Sequence, residues 1–268
     1  MEKHQKNGII LSIFFKQKQR IKMKKLSVVI PAYNEEKRIA KTLQEVDLYL
    51  EKQPYEYEII VVDNGSNDRT VEIVKQLEGT SVQNAHMLEQ LPTVPGNNKG
   101  NAVRKGIMAA QGEYVVYMDA DNATPISEIE KFWPHLEAGF EVVIGDRYMD
   151  KEHRPKQPLI RTILSRLSNW LIQLVLFLHV HDTQAGFKAF KTSSAKEIFK
   201  HLTIYGWAFD MELLAIALKL SYRIKAVPII REEQAPGESK VPATAFLMSL
   251  RDLFIIKWNS LRGKYTPN

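Results

Sequence analysis

The chain has 268 residues, 44% of them hydrophobic and 25% charged, with a formal charge of +6. That length and apolar content suit one large α/β domain or two small ones and exclude disorder as the overall state. There is no cysteine, which excludes a disulfide scaffold, a zinc–thiolate centre and a thiol nucleophile, and is compatible with a reducing, cytoplasmic setting.

The positive charge is concentrated at one end. Residues 1–25 hold eight Lys or Arg against the single acid Glu2, whereas the other 243 residues hold 29 basic and 30 acidic groups. Without a basic excess in the body, nucleic acid loses its electrostatic support as a partner. Residues 1–24 are expected to form a disordered basic tail. Two other readings stand beside it: upstream sequence ahead of a start at Met23, and a membrane-surface anchor. The tail's apolar run, residues 8–15, is too short to span a bilayer, and the run at 171–180 is broken by Gln173 and His179. No transmembrane helix is expected.

From residue 25 short β-rich runs alternate with longer helical periods, the pattern of a mostly parallel, doubly wound α/β sheet. Strands are predicted at 26–30, 58–62, 114–118 and 141–144, with a weaker fifth in 81–91. Helices are predicted at 35–52, 69–77, 101–110 and 125–137, with Asp68 and Thr124 as N-caps and Pro125 just after the second. Beyond residue 150 the pattern gives a helix at 159–178, an extended segment at 184–190, helices at 194–201 and 209–220, and a strand at 224–230. Pro228 assigns that last strand to a sheet edge. A helix at 243–261 follows, and the Pro- and Gly-rich stretches 92–98 and 231–241 read as loops. The expected organisation is one domain over 25–264, with a nucleotide-binding half to residue 150 and a more helical half after it.

Polar residues gather where the predicted strands end. The first strand runs into Pro31-Ala32-Tyr33-Asn34-Glu35-Glu36 and the second into Asp63-Asn64-Gly65-Ser66-Asn67-Asp68. Each alone is an ordinary strand-to-helix turn. Side by side at the carboxyl ends of parallel strands they define the crevice where open α/β sheets bind ligands. The strand Tyr114–Met118 runs into Asp119-Ala120-Asp121. Two carboxylates at that spacing suit a hard divalent cation, which in turn offsets the charge of a nucleotide diphosphate.

Several blocks occur in a telling order: Pro31–Glu36, Asp63–Asp68, Lys99-Gly100 with Arg104-Lys105-Gly106, Asp119-Ala-Asp121, and Gly145-Asp-Arg147. They are followed by Asp182-Thr-Gln-Ala-Gly-Phe-Lys188, Trp207-Ala-Phe-Asp-Met-Glu212 and Gly237-Glu-Ser-Lys240. This order resembles that of family 2 glycosyltransferases, in particular the branch that glycosylates dolichyl and polyprenyl phosphates, and the resemblance extends over residues 26–264. It implies a nucleotide-sugar-binding fold of the GT-A type with a helical C-terminal part. It also implies donor binding by Pro31, Tyr33, Glu35, Asp63, Lys99, Asp119 and Gln184, with Asp63 reading the base. Mg²⁺ or Mn²⁺ would sit on Asp119 and Asp121. Arg147, Arg161 and Lys240 would meet the acceptor phosphate or the diphosphate, and catalysis would rest on Asp121, Arg147, Asp210 and Glu212. Four positions depart from the family pattern: Asn64 in Asp63-Asn-Gly-Ser, Gly96 and Asn98 in Gly-Asn-Asn98-Lys-Gly, and Asp146 in Gly145-Asp-Arg147.

The reaction implied is transfer of a hexose, glucose from UDP-glucose by the Trp-Ala-Phe-Asp block, to a polyprenyl or dolichyl phosphate with inversion. The competing readings are a GDP-mannose-dependent enzyme, a transferase with a soluble acceptor, and a non-catalytic nucleotide-sugar binder. Asp210 and Glu212 open a helix, so catalysis, sugar orientation and a favourable interaction with the helix dipole all remain open for them. A lipid acceptor calls for a peripheral position at the cytoplasmic membrane face. The helices at 159–178 and 243–261, with Trp170, Phe254 and Trp258, fit either a membrane interface or a packed core.

Overall fold

The computed structural model describes residues 26–82, 84–89, 98–149, 169–178, 180–230 and 245–266. The predicted tail, the loop at 92–97, the loop at 231–241 and the first part of the helix at 159–178 lie outside them. In chain order the elements are β1 (Leu26–Ala32), α1 (Ile39–Leu50), β2 (Tyr57–Asp63), α2 (Thr70–Leu77), β3 (Ala85–Glu89), α3 (Lys99–Ala109) and β4 (Tyr114–Met118). A 3₁₀ segment (Ile126–Lys131), α4 (Trp133–Glu137) and β5 (Val142–Asp146) follow. Next come the helical residues 169–176, here α5, and then β6 (Phe187–Lys191), α6 (Thr192–Lys200), α7 (Phe209–Lys219), β7 (Ile224–Pro228) and α8 (Ala245–Leu261).

The strands form one seven-stranded sheet in the order β3-β2-β1-β4-β6-β5-β7. β1 to β4 are mutually parallel, and β5 pairs parallel with β7. β6 runs antiparallel between β4 and β5. The central runs Val28-Val29-Ile30 and Ile59-Ile60-Val61-Val62 are wholly buried, as continuous β-branched runs are in a sheet covered on both faces. Successive residues feed opposite cores. Val29, Ile60 and Val62 pack with α3, α6, α7 and α8, whereas Val28, Ile30 and Val61 pack with α1, the 3₁₀ segment and α4. Each such side chain contributes about 1.5–3 kcal/mol, so β1 and β2 anchor the molecule.

Several expectations are met and several are adjusted. The weak fifth strand is β3, and the Pro228 strand is the edge strand β7. The helix predicted over 125–137 is broken instead into the 3₁₀ segment and α4. Pro134 lacks the N–H that a continuous α-helix would use to reach the Glu130 carbonyl. Thr124 does not cap: the residue before the 3₁₀ segment is Pro125, in an extended conformation and with no side-chain cap. Asp68 acts one position before the helix-capping site. Its carboxylate accepts from the Thr70 N–H at 3.0 Å and from the Glu36 N–H at 3.1 Å. α1 starts at Ile39 rather than at residue 35, because Glu35 and Glu36 are taken up in this stitching. α3 starts at Lys99, two residues before its predicted start.

The tightest approach of helix to sheet is at Gly106 of α3. A Cβ there would lie 2.3 Å from Val29 Cγ1 and 3.1 Å from Val62 Cγ2. Gly106→Ala is therefore expected to destabilise the fold by about 1–3 kcal/mol through overpacking, more than the gain of up to about 1 kcal/mol in helix propensity. Urea unfolding measures it as a lowered midpoint at unchanged slope.

Candidate active site

The carboxyl ends of β1 and β2 are sewn together. Asn34 sits at φ 55°, so that its N–H donates to Ser66 Oγ at 2.9 Å while its side-chain oxygen accepts from the Asn67 N–H at 2.9 Å. The Glu35 N–H donates to Thr70 Oγ1 at 2.7 Å. Asp63 is buried and accepts from the Gly65 and Ser66 N–H groups at 3.0 and 3.2 Å. Pro31 and Asp63 at the ends of β1 and β2, and Tyr33 and Glu35 in the turn after β1, thus belong to one hydrogen-bonded unit. The two polar strand ends of the sequence lie side by side, joined by these hydrogen bonds.

The next strand over, β4, delivers Asp119 and Asp121. The pairing of β4 with β6 continues past Met118↔Phe187, since the Asp119 N–H donates to the Gly186 carbonyl at 3.2 Å. Gly186 has no side chain for a physical reason: its Cβ would lie 2.0 Å from Asp119 Oδ2. Lys99, in the first turn of α3, reaches across to Asp119 Oδ1 at 2.5 Å. Burial raises the Asp119 pKa, but Lys99, backed by Arg147 and Lys188, outweighs it and holds the carboxyl below its usual range. Lys99 is raised in turn, as Asp119, Asp210 and Asp121 overcome its desolvation. Asp119, Asp121, Ala123, Thr124, Arg147 and Gly186 line one polar cleft, and the Asp119 side chain remains 40% exposed in it.

Arg147 follows β5 and is held by Asp182. Its Nε and Nη2 donate to Asp182 Oδ2 and Oδ1 at 2.6 and 2.8 Å, and its backbone N–H adds a third bond at 3.2 Å. This forked pairing fixes the plane of the guanidinium. Asp182 opens the Asp-Thr-Gln-Ala-Gly-Phe-Lys block; Gln184 in the same turn is exposed. Burial raises the Asp182 pKa, and Arg147 overrides it to a net lowering.

The acids of the Trp-Ala-Phe-Asp-Met-Glu block part company on α7. Asp210 lies behind the cleft and accepts from Lys188 Nζ at 2.5 Å and from the Tyr117 hydroxyl. Glu212, two residues on, is bound to a different set of donors: the Thr203 N–H at 3.0 Å, the Ile204 N–H at 2.6 Å and the Tyr265 hydroxyl at 2.7 Å. It ties the loop before α7 to the turn after α8 and is absent from the cleft lining. Arg161 and Lys240 lie outside the described residues. Tyr117, Asp182, Gly186 and Lys188 carry much of the geometry without having been assigned a role from sequence. The signal for Lys188 was its place inside the apolar run Phe187–Phe190.

The helices with two possible uses show apolar side chains on both faces. On α5 Ile172 and Leu176 are buried, while Trp170 and Leu174 are exposed, and so is Phe177 just after it. On α8 Leu253 and Ile256 are buried, while Met248, Phe254, Trp258 and Leu261 are exposed. The two exposed stripes meet where Lys257 Nζ lies 4.4 Å from the Phe177 ring centre. Phe177 is 67% exposed and held at φ 55°, a conformation that costs a bulky side chain energy.

Asp182 has a lowered folded pKa, so its contribution to stability is present above its unfolded pKa of about 3.9 and is lost as pH falls through the folded value. Asp146, raised by burial, works in the opposite direction. Asp182→Asn is expected to lower stability at pH 7 by about 1.5–3 kcal/mol, since it removes the charged partner of the part-buried Arg147, and to flatten the loss between pH 5 and pH 2. Denaturant titrations across that range measure both effects.

Residues 27–199 match the Glycosyl transferase family 2 model. The chain is 33% identical over 257 residues to a human dolichyl-phosphate beta-glucosyltransferase, covering 90% of this chain and 78% of that protein. The Saccharomyces cerevisiae protein of the same name is 31% identical over 258 residues, with 91% of this chain and 77% of that protein covered. Among solved structures, the glucosyl-3-phosphoglycerate synthase of Mycobacterium tuberculosis, crystallised with Mn²⁺, UDP-glucose and phosphoglyceric acid, superposes with a TM-score of 0.63. It does so at 20% identity, over 91% of this chain and 81% of that one, a likeness of fold. With that sheet, those strand-end acids and these relatives, the chain belongs to glycosyl transferase family 2.

Proposed function

We propose that this protein transfers glucose from UDP-glucose to dolichyl phosphate or a related polyprenyl phosphate, inverting the anomeric centre. The observation that carries the acceptor is the state of the acids. Asp119 is paired with Lys99, Asp182 with Arg147, and Asp210 with Lys188, while Glu212 is taken up by Thr203, Ile204 and Tyr265. An alcohol acceptor needs a base to take its proton. A phosphate monoester arrives with an anionic oxygen and needs cations to hold it in line. Arg147, fixed by Asp182 and lining the cleft, is the group suited to that task, and Lys99 suits the leaving diphosphate. The curated relatives, named as dolichyl-phosphate beta-glucosyltransferases, support the same sugar and lipid.

The donor set at the strand end fits a divalent cation. Asp119 and Asp121 offer hard carboxylate oxygens in one cleft, with Lys99 beside Asp119, and Mg²⁺ or Mn²⁺ in such sites completes its shell with substrate phosphate oxygens. A metal bound there would neutralise charge developing on the diphosphate. Within this reading Asp63 and the β1–β2 turns hold the nucleoside, Asp119 and Asp121 orient the diphosphate, and Arg147 places the acceptor oxygen opposite it.

The lipid chain of the acceptor calls for a membrane surface, and no helix among the described residues is long and apolar enough to cross one. The occupant we propose for the exposed stripes of α5 and α8 is an anionic lipid surface. Trp170, Phe177, Phe254 and Trp258 offer aromatic rings for the interface. Arg251, Lys257, Arg262 and Lys264 would meet the headgroups, against the single acid Asp252 in the same stretch. Phe177 of the stripe lies five residues before Asp182 in the chain.

The purified chain with Mn²⁺, a short polyprenyl phosphate and UDP-glucose is expected to give a glucosyl phospholipid detectable by mass, at least a hundredfold reduced by Asp121→Ala. Product from GDP-mannose instead would reassign the sugar, and none from either donor would overturn the reading. Trp258→Glu is expected to reduce sedimentation with phosphatidylglycerol vesicles roughly tenfold or more, the loss of one buried aromatic, while UDP binding stays unchanged.

A further inference from the structure

Lys188 is the one buried lysine among the described residues, with 0% exposure. It stands directly opposite Tyr117 in the β4–β6 register, its ammonium 5.4 Å from that ring centre, beneath α7. Burial lowers its pKa, against the pull of Asp210. Stability alone gives no reason for an ammonium here, because a buried ion pair is commonly replaceable by apolar residues of similar volume without loss.

The bonds of the ammonium suggest another reason. One goes to Asp210 Oδ1 at 2.5 Å, and a second goes to the Ala185 carbonyl, also at 2.5 Å. Ala185 precedes Gly186, whose carbonyl accepts from the Asp119 N–H and whose Cα faces the Asp119 carboxylate so closely that no Cβ fits. The Ala185–Gly186 turn is therefore the wall on which the Asp119 side chain rests. Lys188 pins that wall from the core side, and Asp210, itself bound by Tyr117, anchors Lys188 to α7.

We infer that Lys188 is a positioning residue: by tying the Ala185 carbonyl to Asp210, it fixes the wall against which Asp119 presents its carboxylate to a divalent cation. This rests on the metal role proposed for Asp119 and Asp121. Groups one layer behind a metal ligand typically change metal affinity by about 10–100-fold when removed, which sets the size of the effect. A lysine that served only as counter-ion to Asp210 would be dispensable once Asp210 lost its charge.

The test is calorimetric titration of Mn²⁺ into the full chain in the presence of UDP, with thermal melting alongside. Lys188→Met is expected to melt lower and to bind Mn²⁺ about 10–100-fold more weakly. In Lys188→Met/Asp210→Asn no charge is left buried and the Tyr117 hydroxyl keeps an acceptor, so the melting temperature recovers while the weakened Mn²⁺ affinity persists. A double variant that binds Mn²⁺ as tightly as wild type would overturn the inference and leave Lys188 as a counter-ion. If Lys188→Met does not fold, the double variant carries the test by itself. Failure of the wild type to bind Mn²⁺ would instead remove the metal site, and this inference with it.

Discussion

The antiparallel pairing of β6 between β4 and β5 is the constraint from which the geometry of the cleft follows. β4 ends in the Asp119–Asp121 pair, and β5 ends at Asp146, directly before Arg147. Because β6 runs the other way, its beginning lies where its neighbours end, so the turn before it, from Asp182 to Gly186, is delivered to the same edge of the sheet. One turn then supplies the partner of Arg147, the glycine against Asp119 and the carbonyl held by Lys188. A parallel strand in that position would have carried these residues to the opposite edge.

That geometry gathers charge at high density, and the charges are arranged so that each cation is matched. Lys99, Arg147 and Lys188 each lie within 2.6 Å of a carboxylate oxygen from another part of the chain. Isolated, any one of these groups would be costly to enclose. Paired, they hold one another in place, and the cost of reorganising them during a reaction falls because the dipoles and charges already point at the cleft. Asp119, 40% exposed, and Arg147, held by buried Asp182, both line the cleft and are the groups open to incoming cation and phosphate. The buried Lys188–Asp210 pair stands behind them as a fixed support.

How much of this was legible in the sequence depended on whether a feature is local. β1 and β2 announced themselves by their central β-branched runs and β4 by an apolar run of Tyr, Val and Met, and Pro228 marked its strand as an edge because a missing N–H is a property of one residue. The break at Pro134 was readable by the same rule but was masked by the helical period on either side. The segment at 184–190 read as extended, yet its direction and its neighbours did not, because pairing is a contact between residues distant in sequence. Asp210 and Glu212 looked equivalent two positions apart. Only the donors brought by Tyr117 and Lys188 on one side, and by Thr203, Ile204 and Tyr265 on the other, separate their roles.

The ambiguity of α5 and α8 was of a different kind, since core and interface both use large apolar side chains. Each helix satisfies both uses at once: Ile172, Leu176, Leu253 and Ile256 pack inward, and Trp170 and Trp258 remain 59% and 56% exposed on the outer face. Apolar residues on two faces flatten the amphipathic signal that would otherwise separate the cases. A contiguous apolar stripe facing water is unfavourable for a chain that stays in water, and Phe177 adds backbone strain to its exposure. Both costs are recovered if the stripe meets an apolar phase. Under the proposed function the same contact would serve a lipid acceptor, whose charged phosphate must be met by cations such as Arg147 while its hydrocarbon tail stays buried.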